Sequence, residues 1–163
     1  MSKRPTIDLA FRVNGRPHEL SIEPRETLLE VLRTRLGLTG TKLSCDVQVC
    51  GACSVLVDGV LVSACTYLAY EARDRQVTTI EGLAEGDRLH PIQQAFIDHA
   101  AFQCGYCTPG MIIATKSLLA EQPEPSVEDI KHYMRGNICR CTGYKKILEA
   151  IQAVSASATP AGR

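Results

Sequence analysis

Ile7, Leu9, Phe11 and Val13 alternate with mostly polar neighbours, the two-residue period of a strand that buries one face. Asn14-Gly15 is a strong two-residue hairpin signal, and His18, Leu20 and Ile22 continue the alternation in a return strand. The period then changes. Leu28, Leu29, Val31, Leu32 and Leu36 fall at helical spacing, and Gly37 suits the position just past a helix end. Val55 and Val57 lead into Asp58-Gly59, with Val60 and Val62 leading out, which predicts a second hairpin. Val77 to Ile80 reads as a last short strand.

Beyond a polar, glycine-containing stretch, Glu81-Gly82-Leu83-Ala84-Glu85-Gly86-Asp87, the pattern is helical and the stretch itself reads as a linker. Ile92, Ala95 and Phe96 share one face; Met111, Ala114, Leu118 and Leu119 share another. Pro123 and Pro125 interrupt the period, and Ser126-Val127-Glu128-Asp129 resembles a capping box, with Asp in place of the usual Glu or Gln. Ile147, Leu148, Ile151 and Val154 mark a fourth helix, and the small residues from Ser155 onward predict a frayed tail. Strands with one helix, followed by helices alone, define an α+β fold. The expected organisation is a first domain over 5–82, an all-helical domain over 88–156 and a flexible tail over 157–163. Within the helical part, Cys107-Thr108-Pro109 and Cys141-Thr142 echo one another. The threonines read as N-caps and Pro109 as the first helical residue, so that two helix N-termini converge about an approximate two-fold.

Charge excludes some partners. Lys plus Arg (18) equals Asp plus Glu (18), so no bulk charge draws the chain to nucleic acid or an anionic membrane. No run approaches the roughly 18 apolar residues of a membrane span. The opening residues, Met1-Ser2-Lys3-Arg4-Pro5, lead into the first strand without the apolar core of a signal peptide, so the expected compartment is the cytoplasm. In a reducing compartment, eight cysteines point to metal or redox chemistry rather than to disulfides.

The cysteines fall into two sets. Cys45, Cys50 and Cys53 have the spacing C-x4-C-x2-C, with Cys65 following, which is the plant-type ferredoxin pattern. A loop carrying three thiolates can wrap one edge of a cluster while its N–H groups point at the sulfurs, and Gly51 allows the backbone a positive φ and a close approach. Cys104 and Cys107 form C-x2-C, and Cys139 and Cys141 form C-x-C. Four thiolates at helix N-termini suit an anionic centre, whether an iron–sulfur cluster or a zinc tetrathiolate. His18, His90, His99 and His132 show no ligand spacing among themselves and read as surface or ordinary packed residues. Lys145-Lys146 reads as a solvated helix start.

Three strings carry a resemblance. They are Cys45-Asp46-Val47-Gln48-Val49-Cys50-Gly51-Ala52-Cys53, Gln103-Cys104-Gly105-Tyr106-Cys107-Thr108-Pro109-Gly110 and Gly136-Asn137-Ile138-Cys139-Arg140-Cys141-Thr142-Gly143-Tyr144. Together they resemble the signatures of the iron–sulfur subunits of molybdenum hydroxylases, the xanthine oxidase family, over about residues 5 to 155. The resemblance implies two [2Fe–2S] clusters, on Cys45, Cys50, Cys53 and Cys65 and on Cys104, Cys107, Cys139 and Cys141. It also implies an N-terminal β-grasp domain like a plant-type ferredoxin, facing a flavin subunit, and a four-helix domain with pseudo two-fold symmetry beside a molybdopterin. Gln103 and Cys141 match the residues that touch the pterin in that family. Where many members carry a glycine-rich loop around the first cluster, this chain has Ser44, Val47, Gln48 and Val49, which puts the hydrogen bonding around those sulfurs in question.

The chain has no G-x-G-x-x-G motif and no second large domain. The reading is therefore an oxidoreductase subunit that relays single electrons, without a substrate-transforming site of its own. Molybdopterin and FAD are expected on partners: a large molybdopterin-binding subunit and a medium FAD-binding subunit, in a dimer of heterotrimers. A free-standing two-cluster carrier and a zinc-stabilised interaction module are the rival readings. A simple ferredoxin has no need of the helical part.

Overall fold

The computed structural model describes residues 5–158. Strands β1 (Ile7–Val13) and β2 (Arg16–Ile22) pair antiparallel around Asn14 and Gly15. Both turn residues have positive φ, 51° and 80°, the conformation that the Asn-Gly pair favours. Strands β3 (Ser54–Val57) and β4 (Val60–Ser63) form the second hairpin around Asp58-Gly59. Strand β5 (Gln76–Thr78) runs between the hairpins, parallel to β1 and antiparallel to β3. The result is a mixed five-stranded sheet in the order β2-β1-β5-β3-β4. The last strand stops two residues short of the expected Ile80, which opens a 3₁₀ turn over Ile80–Gly82 instead.

Helix α1 (Leu28–Glu30) widens at once into a π turn over Val31–Arg35. The Leu36 N–H reaches the Val31 carbonyl at 3.1 Å, and Gly37, at φ 68°, ends the segment as expected. Its start is fixed by a capping box, Thr27 with Glu30. Leu28, Leu29, Val31 and Leu32 pack with Leu9, Phe11, Val13 and Val77 in a first core.

Helices α2 (Pro91–Asp98), α3 (Thr108–Glu121), α4 (Val127–Tyr133) and α5 (Lys145–Ala158) follow. Phe96, Met111, Ile113, Ile130, Ile147 and Ile151 fill a second core. The Ser126 hydroxyl accepts from the Asp129 N–H at 3.2 Å and the Asp129 carboxylate accepts from the Ser126 N–H at 2.9 Å, so Asp completes the capping box at α4. The described residues are thus α+β, a mixed sheet with five helices. No helix among the described residues is long and apolar enough to cross a membrane.

Two expectations need correction. The 81–87 stretch is anchored at its start, while Glu85, Gly86 and Asp87 are exposed. Leu83 is buried in the second core, and the Glu81 carboxylate accepts from the Gly40 N–H at 2.7 Å and from the Thr79 hydroxyl. Nor does fraying begin at Ser155. Helix α5 runs to Ala158, and Ser155 is buried with its hydroxyl donating to the Gln152 carbonyl at 2.9 Å. The remaining tail, 159–163, lies outside the described residues.

Strand β3 explains how the halves meet. All four of its residues are buried: Val55 and Val57 belong to the first core, and Leu56 belongs to the second. Helix α3 packs on that second face of the sheet. An alternating strand would have left this face to water; a continuous apolar run marks one covered on both sides.

Candidate metal centres

The loop between Leu43 and Cys53 brings the first thiols together. Cys45 receives the backbone N–H groups of Val49 and Cys50 at 3.3 and 3.4 Å. Hydrogen bonds from the Val47, Val49 and Cys50 backbones lower its thiol to about 6, so it favours the thiolate that a metal needs. The wrap is achieved without glycine at two strained positions: Asp46 and Gln48 have φ of 59° and 60°. Left-handed backbone at such residues costs about 1 kcal/mol or more each. The loop therefore follows a left-handed path at two positions that carry side chains. Gln48 is further tied down by the Thr66 hydroxyl, which donates to its side-chain oxygen at 3.0 Å.

The second hairpin supplies the other two thiols. Its register sets Ser54 opposite Ser63, and the Ala64 N–H donates to the Cys53 carbonyl at 3.3 Å. That places Cys53 beside Cys65. Burial pushes the Cys53 thiol up to about 12, and the neighbouring Cys65 sulfur adds to the shift.

The second set gathers at the start of α3. Cys104 and Cys141 have their sulfurs 3.6 Å apart, both on the surface. Cys107 and Cys139 form the inner pair. Burial, then the Cys139 sulfur, raises Cys107 to about 12. At Cys139 burial acts upward, but hydrogen bonds from the Thr142 hydroxyl and backbone and from the Cys141 backbone outweigh it, and the net shift is downward.

None of the eight cysteines is in a disulfide, and they meet as pairs: Cys45 with Cys50, Cys53 with Cys65, Cys104 with Cys141, Cys107 with Cys139. A two-iron cluster takes thiolates two to each iron, and each pair offers two.

The two sets are joined through a buried junction. The Ile138 N–H donates to the Cys50 carbonyl at 2.9 Å, linking the residue before Cys139 to a member of the first set. Asn137, 4% exposed, donates its side-chain amide to the Gly51 and Gly110 carbonyls at 3.3 and 3.4 Å. The Tyr144 hydroxyl donates to the Asn137 carbonyl at 3.2 Å and accepts from the Cys139 N–H at 2.9 Å. Tyr106, inside the Cys104–Cys107 loop, donates its hydroxyl to the Leu43 carbonyl just before Cys45. Gly51 (φ 66°) and Gly110 permit the close approach, since a β-carbon at Gly110 would overlap the Gly51 carbonyl oxygen. Gly110→Ala should therefore destabilise the fold by about 3 kcal/mol, by overpacking backbone against backbone. The gain of roughly 1 kcal/mol that Ala usually brings to a helix is too small to offset this. Thermal unfolding with release of the cluster absorbance measures it.

Sequence reasoning overlooked Asn137, Gly110, Tyr106 and Tyr144 as a group, although all four lie inside the three cysteine-bearing strings. The available signal was position: each sits within three residues of a cysteine. The expected capping roles of Thr108 and Thr142 do not hold. Cys107 occupies the N-cap position of α3 without a side-chain cap bond, so Thr108 is the first helical residue and Pro109 the second. Thr142 lies two residues short of the last position before α5, with Gly143 and Tyr144 at φ 63° and 67° in between. Gln103 is exposed beside Cys104, on the same surface as Cys141. The histidines are structural where their contacts are clear: His90 caps α2 through its ring Nδ1, and His99 ends that helix. Lys145 and Lys146 are exposed, with Lys146 paired to Glu149.

Comparison with known proteins agrees with this geometry. Residues 11–84 match the family described as "2Fe-2S iron-sulfur cluster binding domain", and residues 79–152 match "[2Fe-2S] binding domain". The chain is thus an iron–sulfur protein with two [2Fe–2S]-binding modules. It is 50% identical over 138 residues to a probable xanthine dehydrogenase subunit of Bacillus subtilis, covering 85% of this chain and 79% of that one. It is 45% identical over 161 residues to the aldehyde oxidoreductase iron-sulfur-binding subunit of Escherichia coli, covering 90% and 70%. Among solved structures, quinoline 2-oxidoreductase from Pseudomonas putida 86 aligns with a TM-score of 0.90 at 42% identity, over 94% of this chain and 96% of that one. The chain belongs to the iron–sulfur subunits of the molybdenum hydroxylase family, the electron-transfer components of oxidoreductases.

Proposed function

We propose that Cys45, Cys50, Cys53 and Cys65 hold one [2Fe–2S] cluster and that Cys104, Cys107, Cys139 and Cys141 hold the other. Through them the subunit passes electrons singly from a molybdopterin site on a large partner to FAD on a medium partner. The observation that carries this reading is the pairing of all eight sulfurs around a shared junction in which Ile138 bonds directly to Cys50. Bound there, the clusters supply one-electron chemistry that no side chain provides. The protein's own share is placement: Asn137, Tyr144 and the two glycines fix the loops relative to each other, and the backbone N–H groups at Cys45 favour its thiolate.

In this reading residues 5–82 form a ferredoxin-like β-grasp domain and 88–156 a four-helix domain with pseudo two-fold symmetry. Gln103 and Cys141 face the pterin; their exposure supports this, because a residue that meets a cofactor on another chain must lie at the surface. The aldehyde oxidoreductase of Desulfovibrio gigas, which aligns at a TM-score of 0.89 while this chain covers 18% of it, supports a large partner in which such a unit is a minor part. The complex is a dimer of heterotrimers in the cytoplasm. Purification from the native source, with metal and sulfide analysis, tests the assignment. About four iron and four acid-labile sulfide per chain are expected, together with co-purifying large and medium subunits. Zinc without sulfide, or a fully loaded chain with no partner, would overturn it.

A further inference from the structure

The repeated Cys-Thr pair has a use that capping does not explain. The Thr142 hydroxyl donates to the Cys139 sulfur at 3.1 Å, and the Thr142 N–H points to the same sulfur at 3.5 Å. The Tyr144 N–H donates to that hydroxyl at 3.3 Å, which holds it in place and polarises it as a donor. In the other copy of the pair, the Thr108 hydroxyl oxygen is buried and has no hydrogen-bond partner among the described residues. A buried hydroxyl without a partner is costly, so its acceptor is a group that the polypeptide does not supply. Thr108 directly follows Cys107, the partner of Cys139 in the inner sulfur pair.

We propose that Thr108 and Thr142 set the reduction potential of the second cluster, each donating an O–H···S hydrogen bond to its sulfur shell. This rests on the assignment of that cluster to Cys104, Cys107, Cys139 and Cys141. One-electron reduction adds negative charge that spreads onto the sulfurs, and a donor aimed at sulfur stabilises the reduced form more than the oxidised form. The hydroxyl protons stay on oxygen, no bond is broken, and the electron is the one the cluster accepts. Both threonines therefore raise the potential. They are positioning residues for charge and do not themselves carry electrons.

The test is a redox titration of the assembled complex, following the two cluster EPR signals separately under dithionite and mediators. Thr142→Val and Thr108→Val should each lower the midpoint of the second cluster and leave the first unmoved. A tenfold loss in the reduction equilibrium, the size expected for one such bond, reads as about 59 mV for a one-electron couple. Thr142→Ser and Thr108→Ser should restore the parent value. If valine blocks cluster insertion, the alanine variants carry the same expectation. Unmoved midpoints in the valine or alanine variants, or serine variants that behave like valine, would overturn the inference. A parent complex that lacks a second cluster signal would overturn the ligand assignment as well, whereas two signals with unmoved midpoints overturn this inference alone.

Discussion

Cys45→Ser should collapse steady-state turnover of the complex while leaving substrate able to reduce it. Cys45 sits in the exposed loop, where the Val49 and Cys50 N–H groups converge on its sulfur. The oxygen of serine is harder and its proton is far more tightly held, so those N–H groups no longer stabilise a ready anion. The first cluster should be lost or strongly altered. The second sulfur set lies beyond the buried junction and shares no cysteine with the first, so it should stay loaded. Anaerobic addition of substrate should then still bleach part of the visible iron–sulfur absorbance, with the onward step to the acceptor slowed by orders of magnitude. Full turnover in Cys45→Ser would show that electrons bypass this cysteine set.

Cys139→Ser should do wider damage. Cys139 is buried, pairs with Cys107, receives the Thr142 hydroxyl and lies one residue from the Ile138 bond to Cys50. Loss of its cluster removes the common partner of four thiols that otherwise only neighbour one another. Burial then works against the Cys107 thiolate, already pushed up to about 12. The exposed surface carrying Gln103, Cys104 and Cys141 should lose its shape, and with it the large subunit. Co-purification of the complex checks this, with iron per chain falling by about half at least, the share of one of two equal clusters. Retention of the large subunit at parental yield would place the docking face elsewhere.

The elements that follow from local chemistry were legible in the sequence. The Asn14-Gly15 and Asp58-Gly59 turns fix the hairpins and their register, and the apolar spacing fixes α2, α3 and α5. The Ser126–Asp129 box was readable because it needs only four consecutive residues. What long-range contacts decide was not. Leu83 and Glu81 look like linker residues until the second core and Gly40 are brought to them. Thr108 and Thr142 have the composition of N-caps, but a cysteine already occupies the cap position of α3, and Gly143 and Tyr144 separate Thr142 from α5. The two cysteine sets were legible by spacing alone. Which sulfur pairs with which, and the Asn137 junction between the sets, required residues 27 and 86 positions apart to meet.

The division of the eight cysteines into two independent sets is tested most directly by EPR of the dithionite-reduced complex and of the two serine variants. The parent should show two [2Fe–2S] signals with different relaxation. Cys45→Ser should change or remove one of them and Cys139→Ser the other. If both substitutions altered the same signal, the assignment of Cys45, Cys50, Cys53 and Cys65 to one centre and of Cys104, Cys107, Cys139 and Cys141 to the other would be wrong.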